Sequence, residues 1–222
     1  MKLRIAILGR MDYEEALKLQ ERLVESRKTG DIEDTLLLLE HPPVLTLGRR
    51  GAASNILASK EVLKNQGVRI FEINRGGDVT YHGPGQIVGY PILDLNGFGK
   101  DIRVFVRNIE EVFIRLLERE YGISAYREES KYTGVWVKNE KITAIGIAVK
   151  RWVTMHGFAF NVNTNLEHFN WIVPCGLSDR GVTSLSKIKG CTFDMNKLFT
   201  QVAMYFSEVF GLEPEFIEAG EL

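Results

Sequence analysis

Apolar positions along the chain fall into two periods. Between Asp12 and Thr29, Ala16, Leu19 and Leu23 recur at helical spacing; Asp12, with Glu15 three residues on, supplies a cap and Gly30 a stop. The clearest stripe, Ile102, Phe105, Ile109, Val112, Phe113, Leu116 and Leu117, predicts a helix over Asp101–Tyr121 with those residues on its core face, closed by Gly122. A shorter helix is predicted over Ser59–Gln66, and a last one after Asp194, where Leu198, Val202, Phe206 and Val209 precede Gly211. Leu36–Leu39 is apolar throughout, the mark of a strand buried on both faces. Val44–Leu47, Arg69–Ile73, Ile87–Leu93, Gly134–Val137, Ile142–Val149 and Met155–Val162 also read as strands. Strands and helices do not alternate regularly, so the expected fold class is α+β, a mixed β-sheet with packed helices, rather than a doubly wound fold. No repeat, low-complexity tract or linker interrupts residues 1–222, which predicts a single domain.

Composition narrows the function classes. Hydrophobic residues make up 45% of the 222 and charged residues 26%, ordinary for a globular protein. A net charge of −1 provides no field to hold nucleic acid or an anionic membrane, so neither partner is expected. The apolar run from Ile5 to Leu8 is too short for a signal peptide or a membrane span, which makes the cytoplasm the expected address. Two cysteines, Cys175 and Cys191, cannot build a disulfide framework, and the histidines (His41, His82, His156, His168) are scattered without zinc-ligand spacing. No metal and no cofactor is expected.

Three stretches concentrate chemistry. Arg75–Gln86, RGGDVTYHGPGQ, packs four glycines and a proline among hydrogen-bonding side chains. It cannot be a helix and is dense for a strand; Gly76 and Gly77 let backbone approach a ligand. The stretch matches neither phosphate-loop spacing. Lys141 opens the nearly all-apolar strand KITAIGIAV. Cys175 sits between Pro174 and Gly176 after an apolar run, on a turn from which its side chain can project into a cleft. Cys191 has no such framing and is expected to be an inert, buried thiol.

A free cysteine is only about 3% thiolate at neutral pH, and a nearby ammonium favours the anion. If Lys141 lies beside Cys175, the pair can accept an acyl group from a thioester and pass it to an amine. A Cys–His arrangement using His82 or His156 ranks second.

These residues sit in longer motifs: LLLLEHPPVLTLGR (Leu36–Arg49), RGGDVTYHGPGQIVGYPILDL (Arg75–Leu95), KITAIGIAVKRWVTMHGFAFNV (Lys141–Val162), and IVPCGL with GVTSL (Ile172–Leu185). In that order they resemble the lipoyl(octanoyl) transferase family. The resemblance implies the α+β catalytic domain shared with biotin and lipoate protein ligases, and an acyltransferase activity. It implies octanoyl-acyl carrier protein as donor, and as acceptor a lysine on lipoyl domains of 2-oxoacid dehydrogenase complexes or on the glycine-cleavage H protein. Octanoyl, or lipoyl, transfer would pass through an acyl-cysteine thioester as the first step of endogenous protein lipoylation. Cys175 falls on the acyl-accepting cysteine and Lys141 on the lysine that lowers its pKa. Arg75, Gly76, Gly77, Asp78, Val79, Thr80, Tyr81 and His82 fall on a substrate-binding stretch. Ala144, Ile145 and Gly146, and Gly157, Phe158 and Ala159, fall on two more. Burying the alkyl carbons of an octanoyl tail at about 0.8 kcal/mol each gives an upper bound near 5–6 kcal/mol. The alternatives are an ATP-dependent lipoate or octanoate ligase of the same fold, against which Cys175 and the short chain speak, and a non-enzymatic acyl-protein binding module. Arg49, Arg50, Lys150 and Arg151 are candidates for a basic docking face.

Overall fold

Leu36–Leu39 forms the middle of the main sheet, and its burial explains the architecture. Leu36 and Leu38 pack into a cluster on one face with Phe105, Phe113, Leu198 and Phe206, while Leu37 and Leu39 pack on the other with Ala16, Leu23 and Val24. Side chains alternate across a strand, so a run apolar at every position must be covered twice.

The computed structural model describes residues 1–128, 132–173 and 180–222. The strands are β1 (Lys2–Arg10), β2 (Thr35–Glu40), β3 (Val44–Leu47), β4 (Arg69–Glu72), β5 (Val79–His82), β6 (Gln86–Ile92), β7 (Tyr126–Arg127), β8 (Gly134–Val137), β9 (Glu140–Lys150), β10 (Val153–Asn161), β11 (Gly181–Val182) and β12 (Glu213–Ile217). The helices are α1 (Tyr13–Thr29), α2 (Lys60–Asn65), α3 (Ile102–Tyr121), α4 (Leu185–Lys189) and α5 (Met195–Phe210). The main sheet runs β12-β1-β2-β6-β10-β9-β8-β7, with β11 also on β9; a smaller sheet runs β4-β3-β5. Parallel pairs (β12/β1, β1/β2, β11/β9) mix with antiparallel ones, as expected for an α+β fold.

Helices α3 and α5 cover one face of the main sheet and α1 the other. The anticipated caps are present. Asp12, Asp101 and Asp194 each accept backbone N–H groups at the start of α1, α3 and α5, and Gly30, Gly122 and Gly211 end those helices at φ 82, 62 and 64°.

Five strands were not expected: the two-residue β7 and β11, and the longer β1, β5 and β12. β1 was hidden because its apolar residues are interrupted by Lys2, Arg4 and Arg10. β12 contains Pro214 and lies at the sheet edge, where a residue without an N–H is tolerated. β5 arises inside the glycine-rich stretch because Val79–His82 pairs antiparallel with β3 between the flanking glycines.

Candidate active site

β9 and β10 pair with Ala144 opposite Ala159, Ile145 opposite Phe158 and Gly146 opposite Gly157. The register therefore brings the two predicted substrate-lining segments side by side. The glycine-rich loop lies across them: the Gly76 N–H donates to the Ile147 carbonyl at 2.9 Å. Glycine is required at these approaches. A Cβ on Gly146 would stand 2.7 Å from the Gly76 oxygen, and one on Gly157 would stand 2.0 Å from the Gly89 oxygen. Asp78 ties the loop down, one oxygen accepting from the Asn55 amide and the other from the Val79 N–H, both at 2.7 Å.

Between these segments lies a cavity of about 520 Å³. Residues 75–80, His82, Lys141, Ala144, Ile145, Gly146, Gly157, Phe158 and Ala159 all line it. Tyr81 does not. Along β5, Thr80 and His82 face the cavity, while Tyr81 points to the opposite side, packs with Leu45, Leu63 and Phe169, and forms a 2.7 Å hydrogen bond with His168 Nδ1. Burial there raises the Tyr81 hydroxyl pKa to about 12.

Arg75 is buried beneath the loop. Its Nη2 donates to the Thr46 carbonyl at 2.7 Å and to Thr46 Oγ1 at 3.0 Å, and its Nη1 to the Gly76 carbonyl at 2.9 Å. His82 Nδ1 donates to Gln86 Oε1 at 2.8 Å, and the Gln86 amide in turn donates to Asn161 Oδ1 at 2.9 Å. Burial, then the neighbouring His41, pushes the His82 pKa down to about 3. Burial, then Arg75, pushes His156 down to about 4. Both imidazoles are neutral at physiological pH and too weakly basic to serve as general bases there.

Lys141 Nζ donates to the Thr133 carbonyl at 3.0 Å and sits 4.8 Å from the Trp136 ring centroid. Cys175 lies outside the described residues. Cys191 follows the left-handed Gly190 at the end of α4 and is exposed, not buried as expected.

Several lining residues were missed from the sequence. Ile102, read as core, is 42% exposed and borders the cavity with Val106, one helical turn on. The spacing of Ile102 matched the core stripe, which hid it; Val106 lies off that stripe. Tyr13 and Tyr90 carry no local signal; both pack around His41, whose Nδ1 donates to the Met11 carbonyl at 2.8 Å and whose Nε2 accepts from the Tyr90 hydroxyl at 2.7 Å. Of the candidate docking cations, Arg50 lines the cavity, Lys150 pairs with Glu25 at 2.9 Å and Arg49 hydrogen-bonds Asn74. Among the described residues, no cluster of three or more His, Cys, Asp or Glu side chains could hold a metal, and no helix is long and apolar enough to cross a membrane.

A mixed sheet with packed helices, holding a cavity floored by glycines and bordered by Lys141, has the build of an α+β catalytic domain. The chain belongs to the lipoyl protein ligase A/B catalytic domain family, which it matches over residues 12–207. A protein of Caldicellulosiruptor saccharolyticus named octanoyltransferase is 63% identical over 222 residues, covering 100% of this chain and 94% of that one. Another of that name, from Desulforamulus reducens, is 64% identical over 222 residues, covering 100% and 97%. Among solved structures, lipoate-protein ligase A bound with ATP superposes with a TM-score of 0.76 at 18% identity, covering 100% of this chain and 91% of that one. A bipartite lipoate protein ligase from Thermoplasma acidophilum gives 0.73 at 16%, covering 98% and 87%. At such identities these two establish the lipoate-ligase-like fold.

Proposed function

We propose that this chain is an octanoyltransferase of protein lipoylation, moving an octanoyl group from acyl carrier protein to the target lysine of a lipoyl domain. The observation that carries the reading is the convergence of the glycine-rich loop, β9 and β10 on one cavity that Lys141 borders. The names of relatives at 63 and 64% identity over the whole chain support it. The part of the cavity walled by Phe158, Ile145, Val88 and the backbone of Gly146 and Gly157 suits an unbranched acyl tail.

The chemistry follows from a Cys175 thiolate paired with the Lys141 ammonium. The thiolate attacks the donor's thioester carbonyl, the bond to the carrier sulfur breaks, and the departing thiolate takes a proton from Lys141. The acceptor amine then attacks the acyl-cysteine carbonyl. Lys141, now neutral, removes the amine proton and the Cys175 thiolate leaves, restoring the starting pair. Exchange of thioesters is near-balanced, and amide formation drives the second step. Acceptors in this reading are the lipoyl domains of 2-oxoacid dehydrogenase complexes and the glycine-cleavage H protein.

Intact-mass analysis after mixing with octanoyl carrier protein tests the proposal. An octanoyl mass increment is expected, absent in Cys175→Ala, which should also lose transfer. Retained transfer by that variant refutes covalent catalysis. Activity with free octanoate and ATP, but none with the carrier-bound donor, would establish an ATP-dependent ligase instead.

A further inference from the structure

His156 is the residue in this fold whose conformation local rules do not explain. It lies inside β10, paired with Ile147 in the ladder, yet its φ is +59°, left-handed for a residue carrying a Cβ. Non-glycine residues in that region are uncommon, and the strain persists only where the surroundings impose it. The turn before it needs no such explanation: Arg151 and Trp152, at φ 52 and 69°, make the paired left-handed turn of a tight hairpin.

What holds His156 is its backbone. Its N–H donates 3.0 Å to Oε1 of Gln20, a wholly buried amide on α1. The ring is only 3% exposed, and its Nδ1 is buried without a hydrogen-bond partner. Nothing polar anchors the imidazole, so its placement is one of space filling.

That placement borders two cavities. One is the site described above. The other, of about 610 Å³, lies beside α1; Leu17, Val24, Ile73, Ala148, Val149 and Met155 line it together with His156, and Glu21, Glu25, Glu72, Asn74 and Lys150 make up the rest of its wall. Among the described residues, His156 alone lines both.

We propose that His156 is a specificity-determining partition: its ring closes one end of the acyl cavity, limiting the length of chain accepted, and removing it joins that cavity to the second one beside α1. The inference rests on the octanoyl-transfer reading of the main cavity. His156→Gly removes the ring and suits the left-handed backbone, so it deletes the wall without adding strain.

The experiment compares wild type and His156→Gly with octanoyl, decanoyl, dodecanoyl and tetradecanoyl thioesters of carrier protein as donors, reading transfer to a lipoyl domain. Wild type should favour octanoyl. In the variant, kcat/KM for dodecanoyl relative to octanoyl should rise by about tenfold, because the added methylenes gain room and can cover the apolar part of the second cavity's wall, Ile73, Ala148 and Val149. A merely structural role would lower all four lengths together and leave their ratio unchanged, which would overturn the proposal. His156→Asn, smaller and tolerant of the left-handed backbone, keeps the test available if the glycine variant does not fold; its dodecanoyl-to-octanoyl ratio should also rise, and an unchanged ratio counts equally against the partition. If wild type itself fails to transfer octanoyl from the carrier, the functional reading has failed and not the partition alone.

Discussion

Gly146→Ala probes the contact on which the cavity's shape depends. The new Cβ would sit 2.7 Å from the Gly76 carbonyl oxygen and 3.2 Å from Arg75 Cδ. Ordinary van der Waals contact begins near 3.4 Å, so the loop must retreat by about 0.7 Å. The Gly76-to-Ile147 hydrogen bond, now 2.9 Å, then stretches past useful geometry, a loss of about 1 kcal/mol. Arg75 cannot follow freely, because its guanidinium is bound to Thr46 at 2.7 and 3.0 Å. The displacement is therefore concentrated in Gly76 and Gly77, which line the cavity. Strand propensity partly offsets the damage, since Ala is preferred over Gly inside a strand by about 0.5–1 kcal/mol. The net loss, at most about 0.5 kcal/mol, lowers Tm by no more than about 1–2 °C for a chain of this size. Catalysis should suffer more, because misplacing reacting groups by about 1 Å can cost on the order of 100-fold. Thermal unfolding and steady-state acyl transfer, measured on one preparation, check both halves. A variant that keeps wild-type kcat/KM would show that the loop's seat on β9 does not shape the acyl site.

Tyr81→Phe should leave acyl-transfer kinetics unchanged while lowering stability by about 1 kcal/mol through loss of the hydrogen bond with His168; a large fall in kcat/KM with little change in Tm would put Tyr81 back in the site. Stability should also fall as pH drops from about 6.5 toward 4, because His41, His82 and His156 have pKa values depressed from 6.5 to about 4, 3 and 4. The unfolded chain binds more protons than the native one across that window, so stability is fully present above it and lost on acidification, by up to about 4 kcal/mol per pH unit. Glu110, raised by burial, opposes this weakly at the acid end. A Tm that stays flat between pH 7 and pH 4.5 would contradict the burial of these rings.

How legible the protein was depended on whether a feature is local. The caps of α1, α3 and α5 and the doubly buried β2 could be read directly, because a cap or an uninterrupted apolar run is complete within a few residues. The lysine at the start of β9 was legible as an oddity, an ammonium opening an apolar strand. Tyr81 was misplaced for an identifiable reason. Reading residues 75–86 as a loop gave every side chain the same standing, whereas four of them form a strand, and alternation sends neighbours to opposite sides. Ile102 failed the other way, its helical spacing marking it as core although the cavity mouth opens beside it. The His156 backbone could not be read at all. Its left-handed turn depends on Gln20, 136 positions away, and no local pattern announces such a bond.

The electrostatics of the cavity bear on which group handles protons. An acceptor lysine with a side-chain pKa near 10.4 arrives mostly as the ammonium and loses two protons on becoming an amide, one before it can attack and one after. His82 and His156, at about 3 and 4, lie some six to seven units below it, so proton transfer to either is disfavoured on the order of a million-fold. Arg75 does not release a proton within the ordinary pH range and can only contribute charge, which is part of what keeps the two imidazoles neutral. Lys141 is the amine that borders the cavity, and in the proposed mechanism it takes the proton the acceptor releases. The burial that makes the cavity hospitable to an alkyl chain thus removes its histidines from acid–base work. In the proposed mechanism that work falls to the lysine at the cavity's border.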